Sequence, residues 1–84
     1  MTVSEFEDAV WALEGVRIVI RAPAETIVGD YDFRNAANER WGTTQWLRNR
    51  VEPRVDGNPI SVLQGDGEEP HGRVILRTLR ASYA

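Results

Sequence analysis

The chain has 84 residues, 13 acids, 10 bases and a net charge of −3, which leaves room for one domain around one core. The absence of cysteine excludes disulfides, thiolate metal sites and thiol nucleophiles, and no apolar run approaches the roughly 20 residues that cross a bilayer. Glu5, Glu7 and Asp8 stand where a secretory leader carries bases, so the chain reads as a cytoplasmic protein. All ten bases are arginine, a bias that GC-rich codon usage produces and that assigns no mechanism. The charges are segregated. Residues 1–32 hold seven acids and two arginines (−5), residues 33–56 three acids and five arginines (+2), and residues 57–84 three of each.

Ser4 with Glu7 three residues later has the form of a capping box, and Phe6, Ala9, Val10 and Leu13 follow at helical spacing. Gly15 suits the position just past a helix, so the pattern predicts a helix over 5–14. Val16, Ile18 and Ile20 then alternate with Arg17, Val19 and Arg21, the signature of a half-buried strand, and Pro23 ends it. Thr26–Val28 reads as a short second strand, folded back through residues 22–25. Gly29-Asp30 is a turn signal, and Asp32 caps a short helical segment over 33–41 whose apolar face is Phe33, Ala36, Ala37 and Trp41. Thr43 or Thr44 caps a stronger helix, QWLRNRVE, with Leu47 and Val51 facing inward, Trp46 beside them and Pro53 as its limit.

Residues 56–59 form a turn, and Ile60–Gln64 is the next strand. The breaker-rich run GDGEEPHG is a loop. RVILRTLRASYA carries two signals: β-branched residues favour a strand near Arg73–Leu76, while Leu76, Leu79 and Tyr83 share a helical face opposed to Arg73, Arg77 and Arg80. The combined expectation is an α+β domain: a small mixed sheet of three to four strands, an N-terminal helix and a central crossover helix. The handedness of strand–helix–strand units would make Arg17–Arg21 and Ile60–Leu63 parallel neighbours. The order RIVIR, ETIV, TTQWLRNRV, ISVLQG resembles the ubiquitin-like β-grasp pattern over residues 16–83. It departs from that pattern in its extra N-terminal helix and in lacking a final strand and a diglycine tail, which removes a covalent-modifier role.

Chemistry-bearing constellations are sparse. His71, the single histidine, sits in a Gly/Pro loop beside Glu68 and Glu69 with no nucleophile signature, and reads as a solvated or loop-stapling side chain rather than a general base. Asp66, Glu68 and Glu69 have none of the spacing of a calcium loop and read as a solvated acidic stretch. No glycine-rich phosphate fingerprint occurs, so no enzyme, cofactor or metal is implied. Arg73, Arg77 and Arg80 form a basic stripe suited to phosphate contacts, opposed by the negative net charge; pairing with the chain's own acids is the competing reading.

What remains is surface. Trp11 falls beside the apolar stripe of its helix, and tryptophan and tyrosine anchor interfaces well. Glu5, Glu7, Asp8 and Glu14, with Asp30 and Asp32 around Tyr31, predict a negative face complementary to a basic groove on a partner. The acidic start TVSEFEDAVWALEG, the strand RIVIRAPAETIVGDYDF and the lack of a catalytic constellation resemble small phage-encoded anti-CRISPR proteins. That resemblance implies a non-enzymatic inhibitor that binds a type I CRISPR surveillance complex and blocks DNA binding or nuclease recruitment. Two alternatives stand beside it: a small nucleic-acid-binding or regulatory protein using Arg73, Arg77 and Arg80, and a phage component whose tryptophans are buried in a homodimer.

Overall fold

A computed structural model describes residues 1–84 as an α+β fold of three helices and a two-stranded sheet. Helix α1 spans Val3–Glu14 and turns Val3, Phe6 and Val10 inward. Its N-cap is Thr2 rather than Ser4: the Thr2 hydroxyl accepts the Glu5 N–H (3.1 Å) and the Glu5 carboxylate accepts the Thr2 N–H (2.8 Å). The helix closes at Gly15, whose φ of 67° is left-handed backbone that glycine adopts without steric cost.

Strand β1 (Arg17–Ile20) follows with Ile18 and Ile20 buried, as the alternation predicts. Its partner is β2 (Ile60–Leu63), and the pairing is antiparallel, with Arg17 opposite Leu63 and Ile20 opposite Ile60. The parallel arrangement is therefore corrected. A left-handed pair, Asp56 and Gly57 (φ 51° and 75°), turns the chain just before β2, and an antiparallel ladder does not require a crossover helix lying on the sheet.

The sheet has two strands, not three or four, because Thr26–Val28 is used elsewhere. This segment makes a single antiparallel bridge, Thr2 to Ile27. The carbonyls of Thr26 and Ala24 accept the N–H groups of Val3 and Ser4 (2.8 and 3.0 Å), donors that a helix leaves orphaned in its first turn. The segment thus caps α1 and never joins β1, so neither the ETIV strand nor the parallel pairing of the β-grasp pattern is formed. No helix forms over 33–41 either. The Ala37 N–H, which a helix would send to Phe33, goes to the Glu14 carboxylate (2.8 Å).

The central helix is present with a changing pitch: α2 (Thr43–Trp46) runs into a π-helical turn (Leu47–Val51) and a 3₁₀ turn (Glu52–Arg54) around Pro53. Gly42 takes the N-cap position, and the Thr43 hydroxyl donates instead to the Val74 carbonyl (2.7 Å). Trp46 and Val51 are fully buried, while Leu47 is half-buried. At the C-terminal end the helical signal wins: α3 is Leu76–Ala81, and Arg73–Leu76 contributes only the bridge from Ile75 to Gly42. One core joins these elements, built on Phe6, Val10, Ile18, Trp46, Leu76 and Leu79 among others.

Candidate functional site

The eight residues of the expected negative face divide into interior and exterior. Glu14 has a fully buried side chain and Tyr31 is 5% exposed, so neither belongs to a surface. The Glu14 carboxylate instead collects donors from three other parts of the chain. The Tyr31 hydroxyl and the Ala37 N–H donate to it, as do Trp46 Nε1 (3.3 Å), Arg50 Nη1 (2.9 Å) and Arg80 Nη2 (2.9 Å). Burial works to raise its pKa. The hydrogen bonds from Tyr31, Ala37 and Trp46 and the charge of Arg50 outweigh that, and the carboxyl sits below its ordinary value. Burial and the adjoining carboxylate push the Tyr31 hydroxyl well above its own. No buried polar side-chain atom is left unpaired, so the cluster is a closed structural network.

Two further members carry structural duties. Glu5 completes the capping box, which holds its carboxyl below the ordinary range through the Thr2 hydrogen bonds. Glu7 accepts the Ile20 N–H (2.9 Å). Trp11 is half-buried, with the Arg17 guanidinium 3.9 Å above its ring and Tyr83 edge-on at 5.4 Å. Asp8 and Asp32 are exposed and unpaired, and Asp30 is exposed and bonds the Met1 ammonium (3.1 Å).

An acidic surface nevertheless exists at the start of α1, with a different membership. Glu5 and Asp8 follow one another on the exposed side of the helix, and the 24–30 segment lies along its first turn. This adds exposed Glu25 and Asp30 to the same end. The same segment displays Ile27, which bridges to Thr2 and is 69% exposed, the one large hydrophobic side chain so displayed. The sequence pattern missed Glu25 and Ile27 because a hairpin reading placed them beside β1; the acids over 25–32 were the signal available.

The basic stripe is also divided. Arg80 is turned into the Glu14 network, while Arg73 and Arg77 are exposed and pair with no acid. Their neighbour is Arg40: the Leu76 N–H reaches Trp41 O and the Arg77 N–H reaches Glu39 O (both 2.9 Å), which brackets Arg40 beside α3. His71 is exposed and its Nδ1 accepts the Arg73 N–H (3.2 Å), a loop staple. Compared with protein-family models, curated proteins and solved structures, the chain has no match.

Proposed function

We propose that the chain is a non-enzymatic protein-binding inhibitor whose acidic face at the start of α1 occupies a basic surface of its partner. The observation that carries this reading is the exposure of Glu5, Asp8, Glu25 and Asp30 on α1 and on the segment along its first turn, which also displays Ile27. An apolar anchor rimmed by like charges suits a site that desolvates its centre while the rim steers encounter. In the anti-CRISPR form of the proposal, the partner is a type I surveillance complex and the occupied surface is the one that would hold DNA or recruit the nuclease.

The test is a DNA gel shift with a purified type I surveillance complex. The wild-type chain is expected to abolish the shift, and Asp8→Arg/Glu25→Arg to weaken inhibition at least tenfold while melting like the wild type. Glu7 is unsuited to this test, because its carboxylate holds Ile20. Undiminished inhibition by the folded double variant would remove the acidic face from the site, and absence of inhibition by the wild type would remove the anti-CRISPR identity. A second reading is favoured by exposed Arg40, Arg73 and Arg77, which have no acidic partners: contact with a nucleic-acid backbone. Direct, steeply salt-dependent binding of DNA or RNA that Arg73→Glu/Arg77→Glu abolishes would establish it instead.

A further inference from the structure

The two edges of the sheet are treated differently. The Arg21 N–H reaches the Pro59 carbonyl (2.8 Å), which makes Ile20–Ile60 a rung without mutual hydrogen bonds, and alternation makes Ile18–Val62 another. At such rungs the main-chain N–H and C=O point away from the partner strand. On the β1 side α1 lies against the strand, Glu7 accepts the outward Ile20 N–H and the Ala22 N–H donates to the Ile20 carbonyl, so that only the outward groups of buried Ile18 are without a partner. On the β2 side the outward N–H and C=O groups of half-buried Ile60 and of Val62, 5% exposed, have no partner within the chain.

Along that edge run two adjoining cavities, of about 150 and 250 Å³, which share Leu47 and Ile60. Val62 and Thr44 line the first, and the only charged residues lining either are Glu69 in the first and Glu52 in the second. Both carboxylates are exposed and form no ion pair. A strand edge with unpaired main-chain groups at the wall of a partly apolar groove is the arrangement to which extended peptides add as an extra strand, with main-chain bonds supplying affinity and alternate side chains specificity.

We propose that this groove binds an extended basic segment of a partner protein as a third strand against β2, its apolar side chains on Leu47 and Ile60 and its cations at Glu52 and Glu69. The four residues of β2 span about 13 Å at roughly 3.3 Å per residue, enough to engage a short peptide. Charge selects the occupant. A second copy of this chain, itself at −3, would bring Glu52 and Glu69 against their own like, whereas a basic strand neutralises them. The groove lies apart from the acidic face at the start of α1, and the proposal does not depend on that face.

A random heptapeptide display library panned against the intact protein tests the idea. Enriched peptides are expected to alternate arginine or lysine with valine, isoleucine or leucine. The best synthetic peptide should slow amide exchange at Ile60 and Val62 at least tenfold. Its affinity should fall at least tenfold in Glu52→Arg/Glu69→Arg and stay within twofold in Asp8→Arg/Glu25→Arg. Failure to enrich binders, enrichment without basic preference, or binding that leaves the Ile60 and Val62 amides exchanging as in the free protein would each overturn the proposal. So would a dimer, found by mass measurement in solution, that protects those same two amides.

Discussion

Arg80 grips Glu14 at both its main chain and its side chain: Nε donates to the Glu14 carbonyl at 2.6 Å and Nη2 to Oε1 at 2.9 Å. A carboxylate in the last turn of α1 faces the negative end of the helix dipole and, buried, also loses its hydration. Two guanidiniums and three neutral donors offset both penalties. In doing so they tie α1 to the 31–37 loop through Tyr31 and Ala37, to the central helical run through Trp46 and Arg50, and to α3 through Arg80.

That convergence makes Glu14 the costliest single polar residue to lose. Removing one partner of a buried ion pair typically costs about 3–5 kcal/mol, and Glu14→Ala is expected to fall in this range by urea denaturation. At about 0.1 kcal/mol of stability per residue, such a loss is a large fraction of what an 84-residue domain holds. Glu14→Gln keeps the shape and part of the hydrogen bonding, so it should cost less than alanine. A wild-type urea midpoint for Glu14→Ala would contradict the network's role.

The same network fixes how stability varies with pH. The Glu14 carboxyl lies below its ordinary value of 4.5, so near and below that pH the unfolded chain binds more protons than the folded one. The Glu14 contribution is complete above the ordinary value, begins to fall there and is lost as the solution is acidified through the lower value of the folded chain; Glu5, also held low, acts in the same direction. Tyr31 behaves in the opposite sense. Its hydroxyl lies above the ordinary 10.0, so its contribution is complete below that pH and lost as pH rises beyond it. Urea midpoints measured from pH 2 to 11 should therefore fall at both ends. Glu14→Gln should flatten the acid limb and Tyr31→Phe the alkaline one, leaving on that side the smaller share of Tyr83, whose hydroxyl burial also raises.

The sequence made the periodic elements legible and left the bridging ones obscure, for a physical reason. Phe6 and Val10, or Ile18 and Ile20, announce a helix and a strand because burial repeats with the period of the local backbone. The fate of Thr26–Val28 depended on donors at Val3 and Ser4 more than twenty residues away, which no local pattern records. The 33–41 stretch lost its helix to one distant acceptor, Glu14. Glu14 itself looked like one more acid on an acidic helix. The clue to its burial was its place three residues past Trp11 and four past Val10, on the inward side of α1, and composition outweighed it. The exposed acids Asp8, Asp30 and Asp32 were legible as surface; the unpaired edge of β2 was not, because it required knowing which strand α1 covers.

Close backbone approach supplies a third test. Gly65 lies so near the Ser82 carbonyl that an added Cβ would overlap main-chain atoms with no flexible side chain to give way, and its N–H donates to Ser82 Oγ (2.9 Å). Gly65→Ala is expected to cost about 1–3 kcal/mol, the range for forcing extra volume into packed structure. Gly67 is an instructive contrast: its Cβ would meet nothing within 4 Å, and only its φ of 85° opposes a side chain. Gly67→Ala should cost about 1 kcal/mol. Equal melting temperatures for Gly65→Ala and the wild type would show that the 65–82 contact is looser than described.

The final prediction concerns the end of the sheet. At the Arg17–Leu63 pair the Tyr83 hydroxyl stands between the strands, accepting the Arg17 N–H (3.0 Å) and donating to the Leu63 carbonyl. A side chain beyond α3 thereby supplies a rung of the ladder, and its ring packs edge-on against Trp11. Tyr83→Phe keeps the ring contact but withdraws both hydrogen bonds, leaving a donor on β1 and an acceptor on β2 without partners. The expected cost is about 1–3 kcal/mol, with faster exchange of the Arg17 amide as the local signature. Tyr83→Ala also uncovers Trp11 and should cost more, with a red-shifted tryptophan emission that the phenylalanine variant does not show. A phenylalanine variant as stable as the wild type, with an unchanged Arg17 amide, would show that the hydroxyl contributes nothing and that the attachment of the C-terminal turn rests on the ring alone.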